Sequence, residues 1–156
     1  MPIVDQMLPV LSNIRDTLMN LTDSAGLIVI FDVALGAKEN IWFADETASP
    51  SSATRCITFD TGDGNSLEGF DDLNKAMLTF VVWIGRDSGP KLPKIWALMT
   101  ARYVREALRD YSYTNSGGTV NMHSLIYRTG SLKAVWSEEY LSWYVRLQYE
   151  YSVYGL

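Results

Sequence analysis

The residue types that carry acid–base and nucleophilic chemistry are few in this chain and stand apart from one another. His123 is the single histidine, in a stretch of alternating apolar and polar residues with no carboxylate or cysteine beside it. A catalytic triad or a metal site therefore has no local support there, and we interpret His123 as a structural or surface residue. Ser24, Ser52 and Ser66 lack the G-x-S-x-G pattern of a nucleophile elbow. The sequence predicts no catalytic residue.

Two segments with glycines contain residue types that are also found in calcium-binding or phosphate-binding loops. Residues 60–68 contain three carboxylates and an asparagine. They do not follow the order D-x-[DN]-x-[DN]-G with a glutamate at position twelve, so a turn-rich hairpin loop is the favoured interpretation. Gly62 and the Gly117-Gly118 pair fit neither G-x-G-x-x-G nor G-x-x-x-x-G-K-[ST]. We expect no metal, no cofactor and no enzymatic activity.

Arginines form a stripe on a predicted helix, where Arg102, Arg105 and Arg109 share one face. This face would bind an acidic partner, or it would be a solvated face whose arginines pair with Glu106. Both interpretations remain open, and the three arginines are candidates for a subunit interface.

Tyrosines occupy the nominally polar face of the last strand of the chain. Tyr140, Tyr144 and Tyr154 alternate there with polar residues, and Arg146 stands among them. Tyrosine and arginine are enriched where proteins meet proteins, which favours a subunit contact on this face. The alternative is that a helix of the same molecule covers these side chains.

Composition and charge limit the classes of protein to be considered. The 156 residues fit a single domain, 1–156, and 47% of them are hydrophobic, enough for a substantial core. The net charge of −5 argues against a protein that grips nucleic acid by its phosphates. Cys56 is the only cysteine, which excludes an intramolecular disulfide and a thiolate metal cluster. We find neither a signal peptide nor an apolar run long enough for a membrane span.

The strand that carries these tyrosines has the most regular pattern in the sequence. Its other face alternates without interruption through Leu141, Trp143, Val145, Leu147, Tyr149, Tyr151 and Val153. A period of two predicts a half-buried strand, and at about 3.3 Å per residue it would run roughly 50 Å. We expect the apolar face to form the floor of the core. A strand of this length is also suited to adding an edge to a neighbour's sheet.

Hydrophobic periodicity places the remaining elements. Helices are predicted at 5–22 and 93–110, and strands at 27–34, 41–43, 55–59, 77–84, 119–129, 132–136 and 140–154. Loops are predicted at 44–54, 60–69 and 111–118, and Gly130-Ser131 would turn the chain back on itself. This order predicts an α+β domain with a mainly antiparallel or mixed sheet, an N-terminal amphipathic helix and a second helix packed on it.

The order resembles that of the tail terminator (tail completion) proteins of long-tailed bacteriophages. The resemblance is carried by helix 5–22 running into strand 27–34, by strand 77–84 before helix 93–110, and by the strands within 119–154. It implies a self-assembled ring, a hexamer, that caps the tail tube, stops its polymerisation and offers the surface on which the head docks. The implied partners are the tail tube protein and a head-completion or connector protein, with DNA passing through the lumen without specific binding. The implied location is the virion, after assembly in the host cytoplasm.

Other classes remain open from the sequence. One is a head-completion or connector ring of the viral neck, or a protein like that of the tail tube. Another is an unrelated small ligand-binding or hydrolytic domain, which would need a pocket that gathers distant polar groups, for instance His123 with an aspartate or a glutamate.

Overall fold

The computed structural model describes residues 7–20, 41–43, 50–60, 75–89, 91–114 and 121–155. Within these residues the elements follow in the order α1 (Met7–Met19), β1 (Ile41–Phe43), β2 (Arg55–Asp60), β3 (Lys75–Gly85), α2 (Pro93–Ala107), β4 (Ser112–Thr114), β5 (Asn121–Tyr127), β6 (Ala134–Ser137) and β7 (Ser142–Gly155). The predicted strand 27–34 and the predicted loop 60–69, except Asp60, lie outside the described residues.

The strands form one sheet in the order β1-β2-β3-β7-β5-β4, with β6 also paired to β7. β1 runs parallel to β2, and the other pairs are antiparallel. The predicted α+β class with a mixed, mainly antiparallel sheet is therefore confirmed.

The centre of the sheet is the pair β3–β7, whose register runs from Lys75 opposite Ser152 to Gly85 opposite Ser142. Because side chains alternate across a strand, this register brings apolar residues of both strands onto one face. On that face Phe80 lies opposite Leu147 and Val82 opposite Val145. We call it the inner face, and its core members are Leu78, Phe80, Val82, Ile84, Val145, Leu147, Tyr149 and Tyr151.

Both helices contribute apolar stripes to the core that includes the inner face. The buried residues of α1 are Val10, Leu11, Ile14 and Leu18, and those of α2 are Ala97, Thr100, Ala101 and Val104. These spacings of three and four place each set on one side of its helix. The alanines of α2 leave room for close packing on the sheet, and full burial of one large aliphatic side chain stabilises the fold by about 1.5–3 kcal/mol. Pro93 fits the first turn of α2 because its missing N–H has no partner in a helix start.

The position of β7 corrects one expectation. Residues 142–152 of β7 pair with β3 on one side, and on the other side residues 142–145 pair with β6 and residues 149–155 with β5. Where both edges are paired, at residues 142–145 and 149–152, β7 lies inside the sheet, and the expectation that the strand adds an edge to a neighbour's sheet is wrong for these residues. The strand also begins later than predicted, because Leu141 has a positive φ of 46° in the turn before it. Leu141 is therefore part of that turn instead of the floor of the core.

The connection between β5 and β6 is a second correction. Both strands pair antiparallel with the same edge of β7, β5 with residues 149–155 and β6 with residues 142–145. They therefore run in the same direction, and Gly130-Ser131 does not turn the chain back. Residues 128–133 form a bulged insertion instead, held by the Arg128 N–H to the Gln148 carbonyl at 2.9 Å and by the Gln148 N–H to Thr129 Oγ1 at 2.6 Å.

Two boundaries also differ from the sequence prediction. The predicted loop 111–118 contains β4, which pairs with β5 through Tyr113 opposite His123. The predicted helix 93–110 ends at Ala107, and Asp110 has a left-handed φ of 53° in the turn that follows.

Candidate functional site

The face of the sheet opposite the helices is the first candidate site. We call it the outer face; in β3 it presents Met77, Thr79, Val81 and Trp83, and in β7 it presents Tyr144, Arg146, Gln148 and Glu150. The predicted interface residues Tyr144 and Arg146 both belong to it. Each described helix packs on the inner face, so neither covers these two side chains.

Three aromatic rings cluster at one end of the outer face. The ring of Trp83 lies 5.0 Å from that of Tyr144 and 5.3 Å from that of Tyr140, measured between centroids. The Trp83 indole N–H donates to Thr58 Oγ1 at 3.1 Å, which fixes the orientation of the ring. Val135 pairs with Tyr144 across β6–β7 and is 43% exposed. The aromatic cluster of Trp83, Tyr140 and Tyr144 thus has an exposed apolar neighbour.

Arg146 is the next residue of β7 on the outer face after the aromatic cluster. Arg146 is exposed and forms no ion pair within the described part of the chain. Arg128, further along, is paired with Glu150. Partly exposed aromatic rings near an exposed arginine are typical of the groups that carry binding energy at protein interfaces. Tyr154 lies opposite Met122 in the sheet, and its side chain is outside the described set.

The three arginines of the predicted stripe lie on the helical side of the sheet, and each has different surroundings there. Arg102 is exposed. Arg109 forms an exposed ion pair with Glu106, with 2.9 Å between nitrogen and oxygen, as the solvated-face interpretation predicts. Arg105 instead lies over the ring of Tyr127, with its guanidinium carbon 5.8 Å from the centroid.

A cleft of about 380 Å³ opens at the end of α2. Its lining residues are Arg105, Leu108, Arg109, Asp110, Leu125, Ile126, Tyr127 and Tyr149. Two of the three predicted arginines therefore meet β5 and β7 here, whereas Arg102 does not line the cleft. The volume is within the usual range for small-ligand sites.

Tyr149 lines the cleft and carries a buried hydroxyl. Tyr149 is 1% exposed, and its ring contacts those of Phe80 and Tyr127 at centroid distances of 5.5 Å and 5.4 Å. Its hydroxyl has no hydrogen-bond partner among the described residues. Burial raises the pKa of Tyr149 far above its usual value, the Tyr127 hydroxyl raises it further, and Arg105 opposes both. The hydroxyl therefore keeps its proton.

His123 is fully buried on the inner face in β5. Its Nδ1 is hydrogen-bonded to the hydroxyl of Tyr151, and the rings of Tyr151 and Tyr113 lie 5.7 Å and 5.9 Å from its own. Its Nε2 has no partner in the described ranges. Burial lowers the pKa of His123 below 6.5. These contacts are those of a core histidine, in agreement with the structural interpretation.

Among the described residues, no three histidine, cysteine, aspartate or glutamate side chains are grouped so as to hold a metal ion. The helices in this part of the chain are also too short or too polar to cross a membrane. No protein-family model, curated protein or solved structure matches the chain. The outer face is therefore the feature from which a function is inferred.

Sequence reasoning missed two members of these surfaces. Trp83 lies within the predicted strand 77–84, but its contact with Tyr140 and Tyr144 depends on the β3–β7 register. Tyr149 follows the apolar alternation, and that pattern carries no sign that its hydroxyl lacks a partner.

Proposed function

We propose that this chain is a ring-forming tail terminator, which caps the tail tube of a long-tailed phage, stops its polymerisation and provides the surface on which the head docks. The observation that carries the proposal is the outer face, where the aromatic cluster and the exposed Arg146 lie on a sheet surface that neither described helix covers. The order of helices and strands along the chain supports it as a resemblance of pattern.

A closed ring of identical subunits needs two different, complementary patches on each subunit. The outer face supplies one patch. The helical side of the sheet supplies a second, where Leu92 is 67% exposed and Ile95 is 49% exposed at the start of α2. The two patches lie on opposite sides of the sheet. When the outer face of one subunit contacts the helical side of the next, the pair still has one free outer face and one free helical side. Such a contact repeats until the ring closes.

The charge of the chain is compatible with the lumen of such a ring. At a net charge of −5, a subunit offers passing DNA little electrostatic attraction. In this proposal DNA crosses the ring without specific binding, and the protein partners are the tail tube and a head-completion or connector protein.

The test begins with the mass of the assembled protein. Size-exclusion chromatography with light scattering is expected to give the mass of a ring, either for the protein alone or after it is mixed with tube protein. Negative-stain microscopy is expected to show rings at one end of tails that lack the native terminator. Monomer under both conditions would overturn the proposal, and rings that bind a portal complex instead of tube ends would assign the chain to the connector of the neck.

A double variant tests the outer face itself. Tyr144→Ser together with Arg146→Gln removes an aromatic anchor and the unpaired charge, and we expect assembly to be weakened at least tenfold, about 1.4 kcal/mol. Arg86→Gln is the matched control, because Arg86 is exposed and, among the described residues, forms its ion pair with its neighbour Asp87. The double variant should keep the circular dichroism spectrum of the wild type. Assembly that is unchanged in the double variant would exclude the outer face as the subunit contact.

A further inference from the structure

Strand β6 has a far edge, the one that points away from β7, which is open to a further strand. Within the described residues β6 pairs only with β7, so every second residue of Ala134–Ser137 directs its backbone N–H and C=O toward the far edge. Natural edge strands usually carry a charge or a proline that prevents pairing with another chain. The four residues of β6 include neither, and Val135 among them is 43% exposed.

The charges on either side of β6 are arranged so that two copies of the strand attract each other. Lys133 precedes the strand, Glu138 and Glu139 follow it, and all three side chains are exposed. None of them forms an ion pair in the described part of the chain. In an antiparallel pair of two such strands, the lysine of each copy lies beside the glutamates of the other. In a parallel pair, like charges would meet instead.

The side chains of β6 fit the same antiparallel arrangement when its two-fold axis passes through Val135. Ala134 and Trp136 lie on the inner face, because they pair with Val145 and Trp143 of β7. In this register Ala134 of each copy is opposite Trp136 of the other, so a small side chain meets a large ring at both positions. Val135, on the outer face, is opposite the same residue of the second copy. Size and charge therefore favour one register.

We propose that the far edge of β6 pairs antiparallel with β6 of a second copy of this chain, which joins the two sheets into one. Both copies use the same residues, so the contact closes at two copies. It differs in this from the ring contact, where two different patches meet, and it does not rest on the proposed function. Because a short strand from each copy forms it, the contact is small and is expected to dissociate reversibly.

Sedimentation velocity over a series of protein concentrations tests this contact. The parent protein is the variant with Tyr144→Ser and Arg146→Gln, in which the outer face is altered. It is expected to convert from monomer to dimer as the concentration rises and to return to monomer on dilution. Monomer at every concentration would overturn the proposal. A reversible dimer would support the β6 contact even when the wild type forms no ring, so the two proposals fail separately.

A charge at the two-fold axis tests the register. Val135→Lys in the parent protein places two positive charges opposite each other, and we expect dimerisation to be weakened by about tenfold or more. Ile126→Lys is the matched control, because Ile126 is 41% exposed and lies in β5, outside the contact. This control is expected to dimerise like the parent, and circular dichroism checks that both variants are folded. Equal dimerisation of the two variants would overturn the contact through β6.

Exchange of the flanking charges tests the antiparallel direction. Lys133→Glu makes both ends of the strand negative, and Glu138→Lys with Glu139→Lys makes both ends positive. Each of these two proteins alone is expected to dimerise about tenfold more weakly than the parent, because like charges meet at both ends. An equimolar mixture is expected to form dimers as tightly as the parent, because opposite charges meet again. A mixture that dimerises no better than its components would overturn the antiparallel pairing.

Discussion

The two faces of the β3–β7 ladder are built from alternate residues of the same strands, yet their surroundings are opposite. On the inner face, Phe80 and Leu147 are fully buried beneath the helices. On the outer face, Arg146 and Gln148 are exposed, and the aromatic cluster is only partly covered. The period of two that makes a strand also assigns each of these residues to one face.

Within the β3–β7 ladder, the residues that stabilise the fold are therefore different from the residues that are available for assembly. Residues of the inner face hold the helices on the sheet, so substitutions there act first on folding. Exposed residues of the outer face make fewer contacts within the chain, so substitutions there act first on association. The predictions below test this separation, beginning with the largest expected effect.

Leu147 and Gln148 are neighbours in β7 that point to opposite faces. Leu147→Ala removes a side chain that is 0% exposed and leaves a cavity in the core, and we expect a loss of about 2–5 kcal/mol of unfolding free energy. Gln148→Ala on the exposed face is expected to change stability by about 0.5 kcal/mol or less. Urea unfolding measures both. Similar losses for the two variants would contradict the distinction between the faces.

Gly85 lies at the end of β3 where the outer side of the sheet is covered by the chain itself. A Cβ at this position would overlap the backbone of Ser51 and Ser52, which is fixed by the bond from the Gly85 N–H to the Thr54 carbonyl at 2.8 Å. We expect Gly85→Ala to destabilise the fold by about 1–3 kcal/mol, as overpacking does. Thermal or urea unfolding measures the loss.

Gly130 is the matched control for this substitution, since a Cβ there meets no atom within 4 Å. Gly130→Ala is expected to leave stability within about 0.5 kcal/mol of the wild type. Equal stability of the Gly85 and Gly130 variants would contradict the close approach at Gly85.

His123 makes the stability of the inner face depend on pH. Its pKa in the folded protein is lowered below 6.5 by burial, so below that pH the unfolded chain binds a proton that the folded chain does not. Stability is therefore fully present above pH 6.5 and falls as the pH decreases toward the lowered value, by at most about 1.4 kcal/mol per pH unit.

His123→Gln removes this titration, and because His123 is the single histidine no other imidazole contributes. Urea unfolding of both proteins between about pH 7.5 and pH 5.5 is expected to show the steeper loss in the wild type. Parallel pH profiles would show that His123 is not the titrating group.

Tyr149 is the inner-face residue for which truncation should be nearly harmless. Its hydroxyl is buried with no partner in the described ranges, so Tyr149→Phe removes a polar group without breaking a hydrogen bond. We expect the free energy of unfolding to stay equal or to rise by up to about 1 kcal/mol. A loss of more than about 1 kcal/mol in urea unfolding would reveal a partner for the hydroxyl.

Much of the fold could be predicted because the spacing of apolar residues along a strand or helix indicates which side chains are buried. The alternation of Val145 to Tyr151 identified the inner face correctly, and Tyr144 and Arg146 were assigned correctly to the other side. Local signals failed where the outcome depends on distant partners. Gly130-Ser131 is suited both to a hairpin turn and to a bulged insertion, and only the shared edge of β7 decides between them.

Two further features also depend on contacts that are distant in sequence. β4 has three residues, and its pairing with β5 stabilises it where the sequence indicated a loop. The cleft needs the end of α2 to meet β5 and β7, so the sequence could supply Arg105 and Arg109 but not the site.

The position of β7 has a consequence for folding during synthesis. Strands β3 and β5 lie on either side of β7, and both precede it along the chain. While the ribosome is still translating the segment before residue 142, β3 has no partner on one edge and β5 has only the short β4. Both strands therefore have unpaired edges until β7 is synthesised, and an unpaired edge can pair with another chain. We expect the nascent chain to depend on chaperones or rapid elongation until the sheet closes.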